Sequence, residues 1–185
     1  MENSIQLFTP DQVMPEAVAD YLTRNRAFLT PWLPEQPEEY YTAAHWKRLL
    51  RLQEKEMEEG QAVYFYISEA FGADRVIGSI CLTDIIMGAF CSAYMGYRLD
   101  AERINRSYMT EAVKLVTDYA FNELGLHRIE ANVMPRNVRS LRVLKKCGFR
   151  EEGLARKYLK INGVWEDHLH MVRLSDDDGT VYRGI

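Results

Sequence analysis

Hydrophobic side chains recur at helical spacing in three segments of the chain, residues 11–27, 41–60 and 108–124. The third segment shows the spacing most clearly, and its apolar stripe consists of Met109, Ala112, Val113, Val116 and Ala120. Glycine closes the second segment at Gly60 and follows the third at Gly125, and glycine is the residue that most often stands just past the end of a helix. The spacing therefore predicts three amphipathic helices.

A second pattern, with a period of two, predicts strands elsewhere. Residues 62–69, 75–83 and 89–99 are rich in aromatic and β-branched side chains, with Gly-Ala-Asp at 72–74 between the first two. Residues 127–133 alternate strictly between apolar and polar side chains. All four segments are predicted as strands.

The C-terminal third of the chain predicts a helix followed by a hairpin. The helix covers residues 137–147 and is ended by Gly148. Residues 155–161 and 164–174 form two alternating runs joined by Asn-Gly. Asn-Gly is a strong hairpin signal, because both residues of the turn need a positive φ.

The order of these elements predicts an α/β (α+β) fold, a mixed sheet with helices on its faces. The chain has 185 residues, of which 47% are hydrophobic and 27% charged, as in an ordinary globular protein. We expect a single domain over residues 1–175 and a C-terminal tail at 176–185, with fraying from Ser175 onward.

Charge and composition exclude several classes of protein. The formal net charge of −4 argues against a free-standing nucleic-acid binder. No apolar run reaches the ~20 residues that span a bilayer, and the first residues lack the basic and apolar pattern of a secretion signal. Cys81, Cys91 and Cys147 lack metal-type spacing and are interpreted as buried thiols in a reducing compartment, which predicts a cytoplasmic protein. His168 and His170 share a strand face and could form a zinc pair, but structural histidines are the favoured interpretation, so no metal is predicted.

The most informative segment is 134–153, Met-Pro-Arg-Asn-Val-Arg-Ser-Leu-Arg-Val-Leu-Lys-Lys-Cys-Gly-Phe-Arg-Glu-Glu-Gly. Asn137 begins the predicted helix there, and Ser140 lies in its first turn. This segment resembles the Asn-x-x-Ser/Ala … Gly-Phe-x-x-Glu-Gly motif of the GNAT superfamily of acetyl-CoA-dependent N-acetyltransferases. The resemblance implies the GNAT fold, with a mostly antiparallel twisted sheet and two splayed central strands. It also implies direct transfer of an acetyl group from acetyl-CoA to a primary amine in a ternary complex.

By this resemblance, the pyrophosphate of acetyl-CoA binds at a helix start, on the backbone amides of Asn105, Arg106, Ser107, Tyr108 and Met109. GNAT members usually carry Gln/Arg-x-x-Gly-x-Gly/Ala here. This chain has Ile-Asn-Arg-Ser-Tyr-Met and departs at the first, fourth and sixth positions. Asparagine can adopt the left-handed backbone conformation, serine can cap a helix, and arginine can pair with phosphate. The alternative is a loop and helix cap that binds no cofactor.

Two further contacts to the cofactor are implied by the same resemblance. The backbone of Tyr97, Arg98 and Leu99 would pair with the pantetheine arm like an added strand. Asn137 would form a hydrogen bond to the same arm. An ordinary sheet strand and an ordinary helix N-cap are the structural alternatives, and both are compatible with these roles.

Ser140 is the predicted proton donor to the departing thiolate. Many GNAT members place a tyrosine four residues later for this purpose, but this chain has Leu144 there. A serine at the Ser140 position resembles the ribosomal-protein branch of the superfamily. A solvent-facing or capping serine is the alternative.

The general base is open between several groups. Asp84 and Glu130 are the candidate carboxylates, and Tyr97 and Tyr158 are candidate relays. A strong base is not required if the acceptor is a protein N-terminus, because an α-amino group has a pKa near ~7.7–8.0 against ~10.4 for lysine.

The stretches 93–99, 127–131 and 160–168 resemble the branch that acetylates the N-terminal Ala or Ser of ribosomal proteins. Trp32 is predicted either to shape the acceptor entrance or to anchor its own loop. Two alternatives stay open: an acetyltransferase for a polyamine, amino sugar or antibiotic, and a non-catalytic binding module. A homodimer is implied by the resemblance alone, and neither a nucleic acid nor a membrane is expected as a partner.

Overall fold

The computed structural model describes residues 4–69 and 75–175. The helices are α1 (Pro15–Arg24), α2 (Arg26–Leu29), α3 (Ala43–Glu58), α4 (Tyr108–Asn122) and α5 (Val138–Lys146). The strands are β1 (Ile5–Phe8), β2 (Val63–Glu69), β3 (Gly78–Ile86), β4 (Ser92–Leu99), β5 (Arg128–Val133), β6 (Arg150–Ile161) and β7 (Val164–Leu174). The predicted turn at 72–74 and the predicted tail at 176–185 lie outside the described residues.

The strands form one seven-stranded sheet in the order β1-β2-β3-β4-β5-β7-β6. Neighbouring strands run antiparallel except β4 and β5, which are parallel. The prediction of a mixed, mostly antiparallel sheet is therefore confirmed. Asn162 and Gly163 have φ values of 47° and 83°, as the predicted hairpin turn requires.

The two parallel strands separate along their length. Among the described residues, β4 pairs with β5 only at Ser92–Arg128, Ala93–Ile129 and Tyr94–Glu130. Beyond these pairs, β4 continues to Leu99 and β5 to Val133. The predicted splay is confirmed, and it opens a cleft through the centre of the sheet.

The two faces of the sheet are covered differently. One face packs against the predicted apolar stripe of α4, which is buried throughout, and against the buried Leu144 and Cys147 at α5. The other face packs against α1 and α3 through Tyr21, Leu22 and Trp46. Helices α1 and α3 cover this face near β2 and β3, where Tyr66 and Val76 belong to the same hydrophobic cluster as the helix side chains.

Three expectations need correction. The helix predicted at 11–27 is interrupted at Asn25, between α1 and α2. The buried side chain of Asn25 donates to Tyr21 O and accepts from Ala101 N, and such side-chain bonds to the backbone compete with regular helix. Strand β1 was not predicted, yet it pairs with β2 at the edge of the sheet. Ser175 does not fray, since its backbone N–H donates to His127 O at 2.9 Å.

Candidate active site

The first turn of α5 begins at the mouth of the cleft. Asn137 is its N-cap, and its side-chain oxygen accepts from Ser140 N at 3.2 Å. The helix ends at Cys147, and Gly148 follows with a φ of 83°. The structural half of the Asn137 prediction is confirmed, and its contact to the pantetheine arm stays a prediction.

Two hydroxyl groups meet on this side of the cleft. The hydroxyl of Tyr97 on β4 lies 2.8 Å from Ser140 Oγ and 3.1 Å from the carbonyl oxygen of Ser140. Burial is the main reason that the pKa of Tyr97 is raised well above its usual value, so the phenol stays neutral. Leu144 is fully buried in the core behind them.

The loop before α4 contains two non-glycine residues in the left-handed backbone conformation. Asn105 and Ser107 have φ values of 61° and 64°, the left-handed conformation that glycine usually supplies. Ser107 stands at the N-cap, but its side chain makes no capping hydrogen bond, so the prediction of a serine cap is wrong. The physical reason is its backbone, because a capping side chain reaches the helix from the extended region. Its carbonyl oxygen still accepts from Glu111 N at 2.9 Å.

Glu69 at the end of β2 contacts three side chains in and beside this loop. Its carboxylate oxygen lies 3.0 Å from Arg103 Nε and 3.9 Å from Arg106 Nη1, and it accepts from the Tyr108 hydroxyl at 3.1 Å. The Arg106 side chain is about half exposed, which leaves it able to swing toward a phosphate. The Met109 side chain is buried in the core, so only its backbone faces the loop.

The other cofactor-binding predictions lie along β4. Leu99 packs its side chain against the core with Tyr97. Arg98 points to the opposite face of the sheet, where its guanidinium donates to the Tyr40 hydroxyl at 2.6 Å. A contact of Arg98 or Leu99 with the pantetheine arm must therefore use the backbone, and its β5-facing edge is unpaired beyond Tyr94 within the described chain.

A polar cluster lies on the sheet face opposite Ser140. Glu130 and Asn132 extend from β5, and Asn132 Nδ2 donates to the Tyr158 hydroxyl at 3.1 Å. The nearby charge of Glu130 is the largest cause of a raised pKa at Tyr94, followed by burial. The ring of Tyr158 also packs against His168, with the ring centres 5.5 Å apart. Asn132 was not among the predicted site residues, although the alternation of its strand placed it on the polar side.

The two candidate bases occupy different environments. Glu130 accepts from Arg128 Nε at 2.9 Å, and Arg128 in turn binds both oxygens of Glu152 at 2.9 and 2.6 Å. Asp84 is exposed, with a φ of 52°, at an irregularity in the pairing of β3. Its charge also contributes to the raised pKa of Tyr94, so both carboxylates flank the same phenol.

A cavity of about 620 Å³ lies between α1, α2 and the loop at 33–38. Tyr40 lines this cavity and also bonds Arg98 of β4, so the cavity borders the splayed strand. Asn162 at the tip of the β6–β7 hairpin closes one side and donates to Thr30 O at 2.6 Å.

Arg136, next to the α5 N-cap, ties the acceptor-side loop to the hairpin. It donates to Glu166 Oε1 at 2.8 Å and to Pro31 O at 3.2 Å. Its guanidinium lies 5.0 Å from the ring centre of Trp32, a cation–π distance. The structure supports the anchoring interpretation of Trp32, which does not line the cavity.

Two of the three cysteines, Cys81 and Cys147, do not offer a nucleophile. Burial is the largest cause of the raised pKa values of Cys81 and Cys147, which keeps both thiols protonated. Cys147 is buried as predicted, whereas Cys81 and Cys91 are partly exposed. Within residues 4–69 and 75–175, no group of three His, Cys, Asp or Glu side chains is placed to hold a metal ion.

The site suits a pantetheine arm with its pyrophosphate. The arm fits in the central cleft, along the edge of β4 that is unpaired beyond Tyr94. The pyrophosphate fits at the start of α4, after the left-handed residues of the loop. A family model described as the acetyltransferase (GNAT) domain matches residues 8–150. The chain belongs to the GNAT acetyltransferase family, and it is an acetyl-CoA-dependent N-acetyltransferase. Among the helices described, none combines the length and apolar character needed to cross a membrane.

The relatives with similar sequences and structures include N-acetyltransferases of ribosomal proteins. The chain is 46% identical over 156 residues to Probable N-acetyltransferase YjcK of Bacillus subtilis, covering 84% of this chain and 86% of that protein. It is 33% identical over 163 residues to the ribosomal protein uS5-alanine N-acetyltransferase of Escherichia coli, covering 88% and 83%. The crystal structure of ribosomal-protein-S5-alanine acetyltransferase from Vibrio fischeri superposes with a TM-score of 0.87 at 34% identity, covering 94% and 93%.

Proposed function

We propose that this protein acetylates the N-terminal amino group of a protein that begins with Ala or Ser, a ribosomal protein being the favoured acceptor. The observation that carries this proposal is the cavity of about 620 Å³, since its lining residue Tyr40 accepts a hydrogen bond from Arg98 of the splayed strand β4. A cavity of this size accommodates several residues of an extended chain. The similarity to alanine N-acetyltransferases of ribosomal proteins supports the same acceptor class.

The donor side of the proposed site is formed by three groups of this chain. The amides of Asn105 to Met109 bind the pyrophosphate, the backbone of Tyr97 to Leu99 pairs with the pantetheine arm, and Asn137 adds a side-chain contact. When bound, acetyl-CoA supplies the acetyl group as a thioester. Ser140 gives a proton to the departing sulfur, since its hydroxyl lies in the first turn of α5 beside the cleft.

The acceptor side of the proposed site is the opposite face of the sheet. Glu130, Tyr94 and Tyr158 face the incoming amine, and Glu130 is the preferred proton acceptor because Asp84 lies at the exposed end of β3. An α-amino group needs little help, since its pKa of roughly 7.7–8.0 leaves a sizeable fraction neutral near pH 7.5. Amine and thioester thus approach from opposite faces and meet in the splay.

A small polyamine is the second candidate acceptor. The observation that favours it is the pair of acidic side chains, Glu35 and Glu38, on the cavity wall. Glu38 is already paired with Arg26, which reduces the charge available to a polycation.

An acceptor on nascent or assembled ribosomes also implies a cytoplasmic enzyme. We propose that it acts as one domain over residues 1–175 and, by its family resemblance, as a homodimer.

An acceptor screen tests this proposal. Peptides beginning with Ala, Ser, Gly and Leu are incubated with acetyl-CoA and the protein, and acetylation is located by mass spectrometry. We expect acetylation of the α-amino group of the Ala and Ser peptides, and none on the same peptides with a blocked N-terminus and an internal lysine. Turnover of spermidine with no turnover of any peptide would contradict the proposal and select the polyamine alternative.

A further inference from the structure

Tyr97 reaches from β4 across the splay to the first turn of α5. Its hydroxyl is within hydrogen-bond distance of both Ser140 Oγ, at 2.8 Å, and the Ser140 carbonyl oxygen, at 3.1 Å. Many GNAT members supply a phenol from the helix position that is Leu144 here, and Leu144 is fully buried in the core. In this chain a phenol reaches the reacting serine from a strand instead.

We propose that Tyr97 is a positioning residue for acetyl transfer, whose hydroxyl donates to Ser140 Oγ and directs the proton of Ser140 into the cleft. This inference rests on the proposed role of Ser140 as proton donor. In the reverse arrangement Tyr97 donates its single proton to the Ser140 carbonyl oxygen, and the Ser140 hydroxyl donates to Tyr97 and points away from the sulfur.

The protons balance within one turnover. Ser140 gives its proton to the departing sulfur, so that the Oγ–H bond breaks and an S–H bond forms. The negative charge that develops on Oγ is stabilised by the hydrogen bond from Tyr97, because hydrogen bonds to a charged acceptor are the stronger ones. The acceptor amine loses one proton when it forms its bond to the acetyl carbon, and that proton passes to Glu130, the proposed proton acceptor. Ser140 recovers its own proton from the solvent in the open cleft.

The environment of Tyr97 suits a fixed donor and not an acid. Its burial raises the pKa of the phenol, and the hydrogen bond shared with Ser140 lowers it by less. The phenol therefore keeps its proton throughout the working pH range. Because both ends of the contact lie on regular elements, β4 and α5, the geometry is held by the fold.

The test compares four proteins: the natural chain, Tyr97→Phe, Ser140→Ala and the double variant. For each, kcat is measured on the acetylated amine, and the dissociation constant for acetyl-CoA is measured by calorimetry. We expect Tyr97→Phe to lower kcat about tenfold, as for loss of a hydrogen bond to a developing charge, with the acetyl-CoA affinity within about twofold. In the Ser140→Ala background, Tyr97→Phe should cause no further loss. Equal losses in both backgrounds would overturn the proposal, because Tyr97 would then act independently of Ser140.

A second measurement needs no acceptor. Three-bond NMR couplings report whether the Ser140 side chain holds one rotamer, and we expect one rotamer in the natural chain and averaging in Tyr97→Phe. An unchanged rotamer would also contradict the proposal. If the natural chain acetylates no N-terminal peptide, the proposed acceptor class fails, while the rotamer result still decides the role of Tyr97.

Tyr64→Phe is the matched control. It removes a phenol that donates to Glu56 Oε2 at 2.7 Å on the α3 side of the sheet. We expect a similar fall in the denaturation midpoint for both tyrosine variants, but no change in kcat for Tyr64→Phe. Should Tyr97→Phe fail to fold, 3-fluorotyrosine at position 97 replaces it. This analogue keeps the ring and makes the hydroxyl a stronger donor, so kcat is expected to stay level or rise, and a fall would overturn the proposal.

Discussion

At the residue scale, the loop before α4 carries backbone strain that glycine would relieve. Ser107 has a φ of 64° and its side chain forms no cap. A left-handed conformation costs a non-glycine residue roughly 1–2 kcal/mol, which replacement by glycine would recover. Part of this gain is lost, because glycine has greater conformational freedom in the unfolded chain. We expect Ser107→Gly to raise the free energy of unfolding by about 0.5 kcal/mol, measured by urea denaturation.

Ser107→Ala is the control for this prediction. Alanine keeps the strain and removes only the hydroxyl, so we expect a change within about 0.5 kcal/mol, as for other surface substitutions. A capping serine would instead lose about 1 kcal/mol on replacement by alanine. A loss of that size in Ser107→Ala would mean that the hydroxyl caps the helix in solution.

The same loop shows how far the conformation and contacts of single residues can be predicted from the sequence. The left-handed conformation of Asn105 followed from the chemistry of asparagine, which tolerates positive φ. The contact between Tyr97 and Ser140 was not predictable, because the two residues are 43 positions apart and meet only through the splay. The failed cap of Ser107 shows a local preference overridden by the shape of the loop.

At the scale of elements, periodicity predicted long segments better than short or interrupted ones. Helix α4 and strand β5 appear where the sequence pattern predicts them, because each has a continuous buried face. Strand β1 has four residues and is held by its pairing with β2, a non-local contact that leaves little local pattern. The interruption at Asn25 has the same cause, since its partner Ala101 is distant in sequence.

Gly78 holds β3 close to the strand that is proposed to bind the pantetheine arm. A Cβ at this position would lie 2.7 Å from the carbonyl oxygen of Arg98 and 3.2 Å from the Leu99 Cδ1 atom. The backbone oxygen cannot move without shifting β4, so we expect Gly78→Ala to cost about 2 kcal/mol in unfolding experiments. At Gly96 the nearest atom to an added Cβ is 3.4 Å away, so Gly96→Ala is expected to be tolerated. Equal losses at both positions would contradict this explanation.

Asp100 ties α1 to the end of β4. It is 2% exposed, and it accepts from Arg24 Nε at 2.9 Å and from Glu102 N at 2.9 Å. Removing one partner of a buried ion pair typically costs about 3 kcal/mol, and we expect a loss of that size for Asp100→Asn. Asp20 pairs with the same arginine but is 69% exposed, so Asp20→Asn should lose less than about 0.5 kcal/mol. Chemical denaturation at pH 7 measures both, and similar losses would contradict the dominance of the buried pair.

The same carboxylate predicts a pH dependence of stability. Burial, the largest influence, raises the pKa of Asp100, but the bonds from Glu102 N and Arg24 together hold it below the usual value. A depressed pKa means that the stabilisation is complete above the unfolded pKa of about 4 and is lost as the pH falls through the folded value. The natural chain should therefore lose stability more steeply than Asp100→Asn as the pH falls below about 4. Parallel slopes would show that Asp100 does not carry this dependence.

At the scale of the whole molecule, the proposed function assigns the cofactor to one face of the sheet and the acceptor to the other. Ser140 and Tyr97 lie on one face, and Glu130 and Tyr158 on the other. The sequence predicted the splay between the two strands only through family resemblance, because periodicity cannot show where two parallel strands stop pairing. If the proposed site is correct, the fold separates cofactor contacts from acceptor contacts, and we expect variants on one face to leave binding on the other largely intact.

This separation gives a prediction for the stability of the entire domain. A ligand present at a hundred times its dissociation constant adds about 2.7 kcal/mol to the free energy of unfolding. For a chain of this length that corresponds to a rise in Tm of about 5–10 °C. We expect such a rise with acetyl-CoA and a much smaller one with acetyl-pantetheine at the same concentration, because the shorter compound lacks the pyrophosphate that the amides of Asn105 to Met109 would bind. Thermal unfolding followed by circular dichroism measures both, and Glu130→Gln, on the acceptor face, should respond to acetyl-CoA as the natural chain does. Equal shifts with the two compounds would mean that the loop, despite its left-handed residues at positions 105 and 107, adds nothing to cofactor binding.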